Sequence, residues 1–117
     1  MAGSLNKIQI IGRLGKNPEL RVTQAGKTVA TLSIATSEAF GSGENKKEKT
    51  EWHKVILWDK TADLAGKFLT KGRRVFIEGK LTYRDWTDTE GRKHYITEII
   101  GNNVVFIDNT PAANPAE

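Results

Sequence analysis

Thr50-Glu-Trp-His-Lys-Val-Ile-Leu-Trp58 runs without a break into Asp59-Lys-Thr-Ala-Asp-Leu-Ala-Gly-Lys-Phe-Leu-Thr-Lys-Gly72, and the period of the sequence changes at the join. In the first half Trp52, Lys54, Ile56 and Trp58 alternate with His53, Val55 and Leu57, the period of two that marks a strand with two unlike faces. In the second half Ala62, Leu64, Ala65, Phe68 and Leu69 fit one helical stripe, with Asp59 or Thr61 as N-cap and Gly72 as stop. Asp63 near the start and Lys67 and Lys71 near the end agree with the helix dipole. A strand followed directly by a helix is thus fixed in the middle of the chain, and it is the only helical period found.

Upstream, Leu5 to Leu14 alternates, with Ile8, Ile10, Gly12 and Leu14 on one side and Lys7, Gln9 and Arg13 on the other. Ile11 breaks the polar side, and Gly12 inside the run predicts a bend or a close backbone approach, as barrels need at their corners. Gly15 to Pro18 turns the chain. After the turn signal Gln24-Ala25-Gly26, a second strand is predicted from Lys27 to Ser37 on its β-branched residues. Gly41 to Lys49 is polar and without period, and reads as a mobile loop.

Downstream, Arg73 to Trp86 alternates again, with Val75, Ile77, Gly79, Leu81 and Tyr83 opposite Arg74, Phe76, Glu78, Lys80, Thr82, Arg84 and Trp86. A hairpin turn is predicted at Asp88-Thr-Glu-Gly91. The last strand covers Lys93 to Ile107, interrupted near Gly101-Asn-Asn103. Residues 1–108 form one domain in this reading, and Asn109 to Glu117 has the Pro and Ala content of an unstructured tail.

Three strands, a helix and two more strands define an all-β fold with one short helix. The order is that of the five-stranded OB-fold Greek-key barrel with its helix between strands three and four. An SH3-like barrel or a small open sheet would give a similar strand count.

Composition narrows the function. With 117 residues the chain suits a single core. There is no cysteine, so disulfides and thiolate zinc sites are excluded, and His53 and His94 are too few and too far apart for a metal cluster. No metal or cofactor is expected. No secretory leader or membrane-length apolar run is present, which predicts a cytoplasmic address. Lys and Arg number 18 against 14 Asp and Glu, a balance that suits a polyanion.

The rings carry the functional argument. Alternation sets Trp52 and Trp58 beside Lys54 and away from Val55 and Leu57, and sets Trp86 beside Arg84 and away from Leu81 and Tyr83. Any one tryptophan could pack under a loop or at a subunit contact. Three with cations beside them fit a surface on which unpaired bases stack while Lys and Arg meet phosphates. Lys7, Arg13, Arg21, Lys54 and Arg84, which lie within or beside the strands, are better placed for phosphates than Lys46, Lys47 and Lys49, which interleave with Glu44, Glu48 and Glu51. Phe40, at the edge of the polar loop, reads as either a fourth platform or a packing anchor.

Enzymatic readings find no support. Gly26-Lys-Thr28 resembles the end of a P-loop, but Arg21 stands where the first glycine is required and a strand follows. His53 alternates with core residues and has no nucleophile assignable to it. No catalytic residue is expected.

Asn6-Lys-Ile-Gln-Ile-Ile-Gly-Arg-Leu-Gly15, Pro18-Glu-Leu-Arg21, Ile34-Ala-Thr-Ser-Glu38, Thr50 to Trp58, Lys71-Gly72, Val75-Phe-Ile-Glu-Gly79 and Trp86-Thr-Asp88 resemble, in order and spacing, the bacterial single-stranded DNA-binding protein family. The resemblance covers residues 5 to 107. It implies an OB barrel that assembles as a homotetramer and wraps single-stranded DNA in replication, recombination and repair. The matching stacking positions are Phe40, Trp52, Trp58 and Trp86, and the matching basic positions include Lys7, Arg21, Lys54, Lys60, Lys71 and Arg84. It also implies that part of the outer face forms subunit contacts, for which His53, Arg74, Phe76 and Glu78 are the candidates. The family's long tail with an acidic tip has no counterpart in Pro111 to Glu117, so the resemblance does not extend to recruitment of replication or repair proteins. An RNA-binding or replication-restart relative of the same fold, and an oligomer whose tryptophans are sealed between subunits, are the competing readings.

Overall fold

A computed structural model describes residues 3–107; the tail expected over 109–117 lies outside the described residues. The elements in order are β1 (Ile8–Leu14), β2 (Glu19–Val22), β3 (Thr28–Phe40), a 3₁₀ turn (Gly43–Asn45), β4 (Lys47–Trp58), α1 (Asp59–Phe68), β5 (Arg74–Thr87) and β6 (Lys93–Phe106). The sheet order is β1-β5-β6-β4-β3-β2, and β1 also pairs with β3 through Arg13↔Ala35 and Leu14↔Ile34. That last pairing closes β1, β5, β6, β4 and β3 into the expected five-stranded barrel. The β4–β6 contact is parallel, through Val55↔Ile99 and Ile56↔Ile100, and every other ladder is antiparallel.

The inward residues of the alternating runs make the core: Leu14, Ala30, Leu32, Ile34, Val55, Leu57, Val75, Ile77 and Ile99. Ala62, Ala65 and Leu69 of the helix and its C-cap close one end of the barrel. Gly12 is where the closure happens: a Cβ there would lie 2.3 Å from the carbonyl oxygen of Ala35. The close backbone approach expected at Gly12 is therefore the β1–β3 crossing itself. At Gly79 a Cβ would fall 2.0 Å from the Ile100 carbonyl oxygen, and here β6 carries a bulge between the pairs Gly79↔Gly101 and Glu78↔Asn103. The interruption expected near Gly101-Asn-Asn103 is this bulge, which restores Val104 and Phe106 to the inward side.

Several expectations are corrected. Strand β2 was not anticipated: all its residues are exposed, as an edge strand on β3, so it leaves no burial period to read. The polar run Gly41 to Lys49 is not all loop, because Lys47, Glu48 and Lys49 pair with Phe40, Ala39 and Glu38. Opposite charges at Glu38↔Lys49 and the Ser37 Oγ–Thr50 Oγ1 hydrogen bond of 3.0 Å support this extension of the hairpin. Asp59 is not an N-cap but the first helical residue, with φ of 55°, and the cap position Trp58 makes no side-chain hydrogen bond. Gly72 does not end the helix, which stops at Phe68; it turns the following chain with φ of 90° and donates to the Leu14 carbonyl at 2.8 Å. Leu64 lies outside the buried helical stripe, and Phe68 is half exposed against Phe106 with ring centroids 5.9 Å apart. Tyr83 keeps the parity of Leu81, yet it lies beyond the barrel core and is exposed.

Candidate nucleic-acid interface

The outward residues of β2, β3, β4, β6 and β5 line one continuous groove across the sheet. A hollow of about 530 Å³ is bounded by Arg21, Thr31, Lys54, Ile56, Trp58, Lys80, Thr82, Arg84, Glu98 and Ile100, with Tyr83 at its rim. A second hollow adjoins it and shares Arg21, Thr31, Lys54 and Arg84, adding Lys16, Glu19, Leu20 and Ser33. Cations outnumber carboxylates along the groove, and Ile56 and Ile100, partners in the β4–β6 ladder, give it an apolar floor.

Glu98 organises the centre and was not foreseen. It is only 4% exposed, yet it is charged and satisfied: Arg84 donates from Nη2 (2.8 Å) and Nε (3.2 Å), and Lys54 Nζ stands at 3.1 Å. Arg84 in particular, with Lys54 beside it, holds the Glu98 carboxyl below the usual carboxylate range against the opposing effect of burial. The same contact raises the Arg84 guanidinium. Two of the expected phosphate-binding cations are therefore fixed side by side by a shared buried anion. The signal lay in the even-numbered positions of the last strand, where Glu98 stands between Ile96 and Ile100 on the face shared with Arg84.

The four candidate rings are all accessible: Phe40 is 52%, Trp52 60%, Trp58 42% and Trp86 47% exposed. Trp58 lies in the groove wall. Trp52 is six residues back along β4 on the same face, about 20 Å away at strand rise. Its indole lies over Gly15, where a Cβ would come 2.4 Å from Cζ3. Trp86 shares the outward face of β5 with Lys80, Thr82 and Arg84 and stacks on His94 across the ladder, centroids 4.4 Å apart and planes 18° from parallel. Phe40 is set apart by parity: with Lys47 it lies on the face of the β3–β4 ribbon opposite to Trp52.

The cations divide as well. Arg21, Lys54 and Arg84 meet in the groove. Arg13 is elsewhere, paired with Ala35, which also pairs with Trp52; its Nη1 donates to the Gly72 carbonyl at 3.0 Å. Lys60 lies at the start of α1, and Lys71 in the turn after it, where its backbone N–H donates to Asn17 Oδ1 at 2.8 Å. Lys7 is on another side of the barrel, 3.3 Å from Glu78.

That side also holds the candidate interface residues. Across β1, β5 and β6 the pairs Arg13↔Arg74, Ile11↔Phe76↔Val105 and Gln9↔Glu78↔Asn103 form an outward surface with an apolar row at its middle, and Ile11 and Val105 are exposed. Hydrogen bonding from Gln9 first, then Lys7, lowers the Glu78 carboxyl. His53 is separate from this row, half-buried on β4 and hydrogen bonded through Nε2 to Thr36 Oγ1 at 2.8 Å. Among the described residues no cluster of His, Cys, Asp or Glu could hold a metal ion, and no helix is long and apolar enough to cross a membrane.

A closed five-stranded barrel whose sheet face carries a basic groove with exposed rings defines the oligonucleotide-binding class of OB-fold proteins. The family model described as the single-strand binding protein family matches residues 5–107. The chain belongs to that family. It is 42% identical to "Single-stranded DNA-binding protein 1" of Xylella fastidiosa over 95% of this chain and 86% of the relative. It is 48% identical to the Chlorobaculum tepidum protein of the same name over 86% of this chain, spanning 63% of that longer relative. Among solved structures, a Plasmodium falciparum SSB in complex with ssDNA superposes with a TM-score of 0.83 at 38% identity, covering 92% of this chain and 99% of that one.

Proposed function

We propose that this chain coats single-stranded DNA without regard to base sequence in replication, recombination and repair, as a non-catalytic binding protein. The observation that carries the reading is the exposed Trp58 set in a groove with Arg21, Lys54, Lys80 and Arg84. Phosphates are captured by these cations, with Lys60 and Lys71 farther along the strand's path, whereas Arg13 pairs with Arg74 and fits the face proposed below for subunit contact. Bases stack on Trp58, Trp52, Trp86 and Phe40, each face being indifferent to base identity. The rings are spread over a distance that suits an extended strand and not a single nucleotide.

The assembly proposed is a homotetramer. Support comes from the Ile11–Phe76–Val105 row, flanked by Arg74 and by the Lys7–Glu78 pair, an apolar stripe with a polar rim of the kind that subunit contacts cover. Lys7 fits this contact better than it fits the groove. The bacterial relatives support a cytoplasmic site of action beside the chromosome.

Intrinsic tryptophan fluorescence tests the reading. Addition of poly-dT should quench emission strongly as bases stack on the exposed indoles, and poly-U should compete poorly. Emission that stays bright at saturating poly-dT would refute stacking, and equal competition by RNA would transfer the function to an RNA ligand.

A further inference from the structure

His94 has no part in the function argued so far, yet its ring covers one face of Trp86, centroids 4.4 Å apart and planes inclined by 18°. The two residues are direct partners across the β5–β6 ladder. The imidazole is itself fixed: its Nε2–H donates to Asp88 Oδ2 at 2.8 Å. Asp88 is anchored in turn, because its Oδ1 accepts the backbone N–H groups of Glu90 and Arg92, both at 2.9 Å, at the hairpin turn. A chain of contacts thus runs from turn backbone to carboxylate to imidazole to indole.

This chain of contacts matters because Trp86 stands near the end of a two-stranded ribbon, outside the core cluster. A tryptophan there with neither face covered would sample several rotamers and would have to be ordered by each base it met. With the imidazole in place the ring is ordered beforehand, and the face toward His94 is closed to a nucleobase.

We infer that His94 is a positioning residue for Trp86: it holds the indole in one orientation, so that the ring offers a single prepared face to one nucleobase of the bound strand. The inference rests on the reading of Trp86 as a base platform. An aliphatic residue at position 94 could fill the space but would not hold a parallel flat contact, and a ring without the Asp88 bond would hold it less firmly. Ordering one such side chain in advance is worth about two- to tenfold in affinity.

The test uses His94→Ala, His94→Phe and Asp88→Asn, each made in the parent chain and in a Trp52→Phe/Trp58→Phe background that leaves Trp86 as the one tryptophan, excited selectively over Tyr83 and Tyr95. Without DNA, His94→Ala should lower the fluorescence anisotropy of Trp86 and raise its quenching by acrylamide. Binding of a dT oligonucleotide should weaken by about two- to tenfold. His94→Phe should recover most of both losses, and Asp88→Asn, whose one oxygen stays on the Glu90 and Arg92 N–H groups and which turns an NH2 donor toward Nε2, should fall between the parent and His94→Ala. If the parent binds dT but His94→Ala changes neither the anisotropy nor the affinity, or tightens binding, the positioning role is refuted while the functional reading stands. If the parent itself fails to bind dT, the functional reading falls and takes this one with it.

Discussion

Gly15→Ala tests the Trp52 platform without altering any group proposed to touch DNA. An added Cβ would sit 2.4 Å from Cζ3 and 2.6 Å from Cη2 of the Trp52 indole, contacts that cannot persist. The obstructing atoms are the far end of an exposed side chain, so the indole swings away and the backbone stays. Gly15 is not among the glycines with positive φ, and its N–H keeps its 2.9 Å bond to the Ser33 carbonyl. The unfolded chain loses freedom worth about 0.4–1 kcal/mol on Gly→Ala, which offsets the cost of moving the ring. Thermal stability should therefore change little. Affinity should not be spared: one base stack is worth about 1–3 kcal/mol, which is about 5- to 150-fold in Kd. Anisotropy titration of a labelled dT oligonucleotide should show a loss of at least about fivefold, bounded by that of Trp52→Ala. In a double-mutant cycle Gly15→Ala should add almost nothing to Trp52→Ala, because both remove the same platform. The salt dependence should keep its slope, since no cation is lost. Additive losses, or an unchanged Kd for Gly15→Ala beside a large loss for Trp52→Ala, would refute the reasoning.

Arg21→Gln removes a groove cation, so the slope of log K against log salt for dT binding should flatten by about 0.7; an unchanged slope would place that side chain off the phosphate path. Glu98, whose carboxyl is lowered mainly by Arg84, contributes stability that is present above its unfolded value of 4.5 and is lost as pH falls through the still lower folded value. The melting temperature of the parent should accordingly exceed that of Glu98→Gln at pH 7, with the gap closing in acid; a gap that widens on acidification would contradict the assignment. Gly12→Ala forces a Cβ to within 2.3 Å of the Ala35 carbonyl at the barrel closure, and overpacking against backbone should cost about 1–3 kcal/mol, read as a melting temperature lower by several degrees.

The barrel was legible because its strands are half-buried and alternate, and because the period switches once, at Trp58-Asp59. Gly12 and the Gly101-Asn-Asn103 interruption were legible for the same reason: each breaks a pattern that is otherwise kept. Strand β2 was invisible since an edge strand with every residue exposed has no contrast between faces, and its Leu20 rests on Gly66, a contact that only the fold creates. Trp52, Trp58 and Trp86 and the groove cations Lys54 and Arg84 could be anticipated from strand parity, whereas Phe40 and Arg21 lay outside any strand read from the sequence and were marked by the family resemblance. What joins them could not. Glu98 is more than 40 residues from Lys54 in sequence, and the β4–β6 pairing that brings the two strands together is the one parallel ladder in the sheet. Parity also explains why Lys7 looked equivalent to Lys54: both point outward, but a closed barrel has outward faces on all sides, and only topology says which one carries the groove.

Glu98 further limits how the arginine at the groove centre can meet a base. The most frequent specific contact to a base is an Arg fork set against the O6 and N7 of guanine. In Arg84 the side-on fork, Nε with Nη2, is already closed on the two oxygens of Glu98. The guanidinium keeps N–H groups on its outer end, where the side chain is exposed. There a phosphate, which needs charge and tolerates many approach angles, is the better match. Lys54, tied to the same carboxylate, is a point charge with no planar edge to read. The buried anion thus holds both cations at the groove centre and occupies one of the two forks of Arg84. What this pair of cations presents at the groove centre is chiefly positive charge, a feature every nucleotide can use.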